Sequence, residues 1–380
     1  MKILMIFPAY QPGYQKDGIG DYTRILVEEL RDKGNDVRVI ASGRYSGIDA
    51  DVVKVGNGKW GRNELAATMK EIEGSGYDVV HMQYSPVSYG FGVTFKLLPL
   101  LVRLKARRTL FVITFHTLVG GRWVSRMNAL LLTMFSHKVI STNEELTGLF
   151  GKWFAPFLGK LTQIPIGSNI PPAEISREDA RAEFEKENDI SRDCTLLANF
   201  GFPNPWKGVE DIFEALRLVT NKGKYRLAMI CSEIEENKEY LRSLKGQAAE
   251  KGIENSIIWI EGEDGLKVSR SLKAADIFIA PYHDGISIRR GTLMAAIVNG
   301  LPVVSTYPRV DMPYFEDNKN VILVPASDPE ALAAAVERVA MDIGLRTRLS
   351  DNITLLAQRF DWGEIADRTL KVYNGQGETG

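Results

Sequence analysis

Apolar and β-branched residues gather in short runs at 2–7, 36–41, 79–82, 110–115 and 138–141, while apolar positions recur at helical spacing over 22–33 and 63–73. The alternation predicts strands joined by helices, the grammar of a parallel sheet covered on both faces. A Pro-rich stretch at 164–172 and a charged segment at 176–193 interrupt it. The pattern then restarts, with strands expected at 195–200, 226–231, 257–260, 277–280 and 303–305 and helices at 209–220 and 236–251. A helix at 329–343 and a segment at 362–373 close the chain. The expected fold class is therefore α/β, with two Rossmann-like parallel-sheet domains at 1–172 and 173–361 facing an interdomain cleft. The C-terminal segment 362–380 is expected to pack back on the first domain. Open parallel sheets bind ligands beyond the carboxyl ends of their strands, which directs attention to the loops there.

Composition narrows the function classes. At 380 residues the chain exceeds what a single core usually organises, in line with two domains. Lys+Arg 47 against Asp+Glu 48 excludes a uniformly basic nucleic-acid binder. The only cysteines, Cys194 and Cys231, lie beside apolar runs and read as small buried hydrophobes, neither a disulfide framework nor a metal site. The apolar opening stops at Pro8, too short for a signal segment, and no run approaches the length of a membrane span. A soluble protein of the reducing cytoplasm is expected.

Two loops carry candidate chemistry. In the first, Asp284-Gly285-Ile286-Ser287-Ile288-Arg289-Arg290-Gly291-Thr292 precedes an apolar helix that ends at Gly300 and feeds a strand. Two guanidinium groups at a helix N-terminus, where backbone N–H groups are unpaired, make a place suited to an anion. The second, Asp17-Gly18-Ile19-Gly20-Asp21-Tyr22-Thr23, brings two glycines to the start of a helix. It matches a dinucleotide fingerprint poorly, because a long loop separates it from the first strand, Thr23 stands at the third glycine position, and the second strand ends in Ser42-Gly43-Arg44 without an acid. Arg44 keeps an NADP oxidoreductase as a minor alternative.

An ordered set of short motifs carries a family resemblance: 18–30 with Lys33-Gly34-Asn35-Asp36-Val37, Asp78-Val79-Val80-His81, His116 after a buried strand, Ile164-Pro165-Ile166-Gly167, Gly201 with Lys207-Gly208-Val209, and Gly300-Leu301-Pro302-Val303-Val304. Together, over 2–373, they resemble family 4 of the retaining glycosyltransferases, of GT-B fold. The resemblance implies transfer of a hexose from a nucleotide sugar to a saccharide or lipid-linked acceptor, with the donor entering as a substrate and with no metal or other cofactor. It implies that Lys207 meets the donor diphosphate, that Gly201 lies beside it, and that His116 approaches the transferred sugar through a hydroxyl. Gly18, Gly20 and Asp21 are expected on the loop that closes over the sugar. His81, deeper in its strand, is expected to hydrogen-bond within the core.

The departures from the family pattern are specific. Its paired glutamates fall on Ser287 and Ala295, and its second diphosphate cation is replaced by Phe202. Arg289 and Arg290, on the loop before Gly291 and Thr292, are expected to restore the lost charge, and Asp284 is the nearest acid to the first missing glutamate. These losses keep a non-catalytic glycosyltransferase-like binding or scaffold subunit as the alternative function. Finally, no acid occurs between Asp78 and Glu144, whereas Lys96, Arg103, Lys105, Arg107, Arg108, Arg122, Arg126 and Lys138 all do. The region 96–126 has two readings: a basic amphipathic helix resting on anionic lipid at the inner face of the cell membrane, or a domain-packing helix with solvated arginines.

Overall fold

The computed structural model describes residues 1–11, 18–56, 60–90, 92–117, 123–235, 237–262 and 264–376. Asp17, Phe91, Gly120, Gly121, Arg122, Glu236 and Glu263 lie outside these. The chain divides into two compact units, Met1–Asn169 with Asp361–Gly380, and Ile170–Phe360.

The first unit holds β1 (Lys2–Ile6), β2 (Asp36–Ser42), β3 (Val52–Val55), β4 (Val79–Tyr84), β5 (Leu110–Phe115), β6 (Lys138–Ser141) and β7 (Leu161–Gln163). They form a parallel sheet in the order β3-β2-β1-β4-β5-β6-β7. The second unit holds β8 (Thr195–Phe200), β9 (Tyr225–Cys231), β10 (Ile257–Glu261), β11 (Ile277–Ala280), β12 (Val303–Thr306) and β13 (Ile322–Val324), again all parallel, in the order β10-β9-β8-β11-β12-β13. Central strands such as β4 and β11 are buried at every position, which is why they read as continuous apolar runs and not as alternating ones.

Strand order reverses at the first strand of each sheet, where β1 separates β2 from β4 and β8 separates β9 from β11. In open parallel sheets such a reversal is where a crevice forms at the carboxyl edge, a general place for a ligand. The helix Trp362–Tyr373 packs on the first unit: Trp362 Nε1 donates to Ser168 O (2.8 Å), Arg368 to Gln163 O (2.6 Å), and Lys33 pairs with Asp367 (2.7 Å).

The structure bears on the first part of the region 96–126. Lys96 is fully buried and donates to Tyr89 O (3.3 Å) and Gly90 O (2.7 Å), and burial pushes its ammonium down to about 8. In the helix Leu98–Lys105, Leu98, Pro99 and Val102 face the core, and Arg103 is spent on Phe135 O (2.7 Å) and Ser136 O (3.3 Å). Over Leu98–Lys105 the packing reading describes the helix. Leu98 and Val102 join the core of the first unit, while Leu104 is exposed.

Candidate functional site

In the second unit, the segment after β8 runs from Gly201 through a single 3-10 turn, Pro205–Lys207, into the helix Val209–Leu218. Asn204 starts the turn by accepting from Trp206 N (3.0 Å), and Gly208 ends it in the left-handed region at φ 65°. This places the Lys207 ammonium directly over Gly201. A Cβ built on Gly201 would lie 2.4 Å from Lys207 Nζ and 2.5 Å from Thr292 Cγ2, and the backbone there has φ +116°. Glycine is favoured at 201 by this φ, which L side chains rarely adopt, and by the lysine and threonine side chains in the space above it.

The loop after β11 brings the second cation. Arg290 stacks its guanidinium 3.7 Å from the Tyr282 ring centroid and pairs with the Asp284 carboxylate, which Arg289 also engages (2.5 Å). Arg290 is the residue before the helix Gly291–Val298, and it lies close enough to Lys207 to repel it. Burial, aided by that repulsion, pushes the Lys207 ammonium down to about 8. Among the described residues Lys207 Nζ and the buried Arg290 Nε have no acceptor, and neither do the backbone N–H groups of Gly291 and Thr292. Lys207 Nζ, Arg290 Nε and the Gly291 and Thr292 N–H groups thus form one cluster of uncommitted donors, carried on two positively charged side chains, beside Gly201, whose own N–H is spent on Ile230 O (2.9 Å). Such an arrangement can hold a doubly charged anion such as a diphosphate.

The remaining candidates on this loop play other parts. Ser287 is fully buried, and its carbonyl and hydroxyl accept from Arg290 N and Arg289 N (both 3.4 Å), so it shapes the turn. Asp284 is committed to the two arginines, and it lowers the net charge of the loop while holding Arg290 in place. Arg289 is the more exposed of the pair. Ala295, at the second glutamate position, is buried in the core and offers nothing to a ribose. Sequence reading missed Tyr282 and the His283–Asp211 pair (2.9 Å), which ties the loop after β11 to the helix Val209–Leu218. The aromatic residue two positions before Asp284 was the available signal.

In the first unit, Gly18, Gly20 and Asp21 form the first turn of the helix Gly18–Asp32. Gly18 O accepts from Asn169 (3.3 Å), Gly20 is buried, and Asp21 is a buried acid at the positive end of the helix, 4.0 Å from Arg24. The next residue, Tyr22, sets its ring edge-on against His116, with centroids 4.7 Å apart. His116 follows β5 and shares Gln83 Oε1 through Nε2 (2.8 Å). His81 is fully buried between Tyr373 Oη (2.6 Å) and Thr114 Oγ1 (2.7 Å). Cys194 and Cys231 are free, buried thiols, and burial pushes Cys231 up to about 11, so neither is a nucleophile near neutrality. No metal-binding group of His, Cys, Asp or Glu occurs among the described residues.

Burial pushes both His81 and His116 down to about 3, so both are neutral in the folded protein. In the unfolded chain they titrate near about 6.5. Their stabilising effect is complete above that value and is lost as pH falls toward about 3, because the unfolded state binds up to two more protons. Unfolding free energy from urea titrations is expected to fall by up to about 2.7 kcal/mol per pH unit below about pH 6. A flat profile between about pH 5 and 6.5 would contradict the burial of the two rings.

Residues 180–355 match the family Glycosyl transferases group 1. The match spans the cationic cluster and its supporting strands. Over 98% of its length the chain is 25% identical to the phosphatidyl-myo-inositol mannosyltransferase of Mycobacterium leprae, covering 96% of that protein. Among solved structures it is similar to a glycosyltransferase from Rickettsia africae (TM-score 0.79, 15% identity, 99% and 98% of the two chains). It is also similar to Anabaena Alr3699/HepE, crystallised with UDP and glucose (TM-score 0.75, 16% identity, 99% and 100%). The structural likeness gives the fold, two α/β units of GT-B type, and the sequence matches support glycosyltransferase function.

Proposed function

We propose that this protein is a retaining, metal-independent glycosyltransferase that moves a hexose from a nucleotide sugar to a saccharide or lipid-linked acceptor. The observation that carries the reading is the convergence of Lys207, Arg290 and the Gly291 and Thr292 N–H groups above Gly201. In the proposed reaction the bond between the anomeric carbon and the phosphate oxygen breaks, and the nucleoside diphosphate leaves with the electron pair. The acceptor oxygen bonds the anomeric carbon on the same face and passes its proton to the departing phosphate oxygen. Lys207 and Arg290 stabilise the charge that develops there, so the protein itself supplies the positive charge. The resemblance assigns His116 to a sugar hydroxyl.

Incubation with a panel of nucleotide sugars in the presence of a chelator tests the reading. Release of nucleoside diphosphate and a product of unchanged anomeric configuration are expected. An inverted anomeric centre, or nucleotide binding with no bond cleavage, would contradict it. Arg290→Ala is expected to weaken nucleoside diphosphate binding about 10- to 100-fold, the worth of a charge-assisted hydrogen bond, whereas the more exposed Arg289→Ala costs about 3-fold or less. Equal titration curves for wild type and Arg290→Ala would remove Arg290 from the site.

The acceptor class is read from the first unit. The Mycobacterium leprae relative is named for a phosphatidyl-myo-inositol acceptor. On the helix Trp123–Phe135 here, Trp123 (72% exposed), Met127 (44%) and Met134 (36%) form a solvent-facing apolar stripe, and the helix contains no acid. Arg126 lies on the same exposed side, 4.0 Å from the Trp153 ring, with Lys105, Arg107, Arg108 and Lys152 exposed on neighbouring elements. An apolar stripe on an acid-free helix with Arg126 beside it is suited to the headgroup region of an anionic bilayer, although Lys105 nearby is paired with Glu73 (3.3 Å). Among the described residues no helix is long and apolar enough to cross a membrane, so the proposed contact is peripheral, at the inner face. Flotation with phosphatidylserine vesicles is expected to carry the protein, and Trp123→Ser with Met127→Ser to reduce it about 10-fold. Equal recovery with neutral and anionic vesicles would contradict the assignment.

A further inference from the structure

A file of polar side chains runs through the core of the first unit and ends at His116. Because side chains alternate along a strand, Met5 on β1, His81 and Gln83 on β4, and Thr114 and His116 on and just after β5 all lie on one face of the sheet. That face is the one covered by the helix Trp362–Tyr373, and Tyr373 Oη meets His81 Nδ1 at 2.6 Å. Gln83 Nε2 reaches Met5 Sδ at 3.2 Å and His81 Nε2 at 3.3 Å, while its Oε1 meets His116 Nε2 at 2.8 Å. Thr114 Oγ1 lies 2.7 Å from His81 Nε2. Gln83, His81 and Thr114 are completely buried.

Chemistry fixes where the protons are. Turning the Gln83 amide over would set its oxygen lone pairs against those of the Met5 sulfur, so the NH2 group faces Met5 and His81 and the oxygen faces His116. An amide oxygen only accepts, so His116 carries its proton on Nε2. With the Gln83 N–H aimed at it, His81 Nε2 is the accepting nitrogen, so the ring's proton is on Nδ1 and is donated to Tyr373 Oη. Among the described residues His116 Nδ1 has no partner. The ring is held by Tyr22 on one side and remains partly open.

We infer that Tyr373, His81 and Gln83 form a positioning relay that locks His116 in the Nε2–H tautomer, so that His116 offers a bare Nδ1 as a neutral hydrogen-bond acceptor to a sugar hydroxyl. The inference rests on the reading of His116 as the residue at the transferred sugar. Without the relay the two tautomers of a neutral imidazole interconvert, and the one protonated on Nδ1 presents a donor where an acceptor is needed. A helix from the far end of the chain thereby sets the hydrogen-bonding sense of a residue in the N-terminal half.

The test is long-range proton–nitrogen NMR on the full chain labelled with 15N-histidine, which has only four histidines to assign. Wild type is expected to show His116 protonated on Nε2 and His81 on Nδ1, both neutral throughout about pH 5 to 8. Tyr373→Phe removes the terminal acceptor and is expected to mix the tautomers of both rings, lowering kcat/KM about 3- to 10-fold, the equivalent of one neutral hydrogen bond. Gln83→Glu, nearly isosteric, places a carboxylate against His116 Nε2–H and is expected to raise the His116 pKa, so that activity acquires an acidic limb that wild type lacks. His116 protonated on Nδ1 in wild type, or unchanged tautomers in Tyr373→Phe, would overturn the relay. Adding UDP-glucose to the same sample separates the underlying reading: a shift confined to His116 Nδ1 supports it, and no shift with the relay intact removes His116 from the sugar while leaving the tautomer assignment standing.

Discussion

Lys207→Ala is expected to lower kcat/KM for the nucleotide-sugar donor about 100- to 1,000-fold, the cost of deleting a preorganised group aimed at developing charge. Three observations set that magnitude. The ammonium is poised over Gly201 with no acceptor among the described residues, so its binding capacity is unspent in the free protein. It stands beside Arg290, and the mutual repulsion is relieved when a diphosphate arrives between them. It is partly buried, so its interaction with a phosphate is less screened than that of a surface lysine. The same environment gives a pH signature. With the ammonium pushed down to about 8, donor affinity is expected to fall as pH rises through that value, since the neutral amine loses the charge the phosphate needs, and binding below it should be nearly pH-independent. Lys207→Arg, which does not titrate in this range, should abolish the alkaline limb even if its longer fork lowers activity. Stopped kinetics at saturating acceptor would show the effect. A loss of less than about 10-fold in Lys207→Ala would remove the lysine from the transition state.

Gly208→Ala is expected to destabilise the second unit by about 3 kcal/mol or more. The residue sits at φ 65°, where an added Cβ costs about 1 kcal/mol on conformation alone. The larger part is steric: the Cβ would lie 2.2 Å from Pro281 O and 3.1 Å from Pro281 C, and a backbone carbonyl cannot rotate away as a side-chain tip can. The chain must therefore shift either the turn carrying Lys207 or the loop leading to Arg290. Gly223→Ala is the control, since a Cβ there meets nothing within 4 Å, and a change within about 0.5 kcal/mol is expected. Urea denaturation followed by the fluorescence of Trp206 and Trp259 would report the difference. Equal midpoints for the two variants would show that the close approach of the two loops is not enforced at Gly208.

Much of this architecture was legible in the residues because the signals are physical ones. Fully buried parallel strands are continuous apolar runs, so β5, β6, β8 and β11 appear with the bounds that periodicity suggests. The edge strands β3, β7 and β13, three or four residues each, lack the length to stand out from loop sequence. The helix Arg177–Asn188 was hidden in what looked like a charged connection, because it buries only Ala180 and Phe184 and is held instead by Arg181, which pairs with Asp276 (2.9 Å) and Glu185 (2.6 Å). At the site, Lys207 and Arg290 could be named from the Gly201 and Gly291 contexts. Their juxtaposition could not, since it depends on the left-handed turn at Gly208 and the stacking on Tyr282. Asp284 and Ser287 carried the chemistry expected of ligand-binding side chains but are used to shape the loop, a distinction that rests on partners and not on residue type. The basic stretch after Lys96 left two readings open for a similar reason: amphipathicity marks which side of a helix is apolar, and only the fold says what that side meets.

The most direct measurement of the central claim is a crystal structure of the full chain with a bound nucleotide sugar. Phosphate oxygens within hydrogen-bonding distance of Lys207 Nζ, the Arg290 guanidinium and the Gly291 and Thr292 N–H groups, above the Gly201 backbone, are the predicted result. Phosphorus atoms seated elsewhere, with Lys207 and Arg290 turned to solvent, would contradict the account.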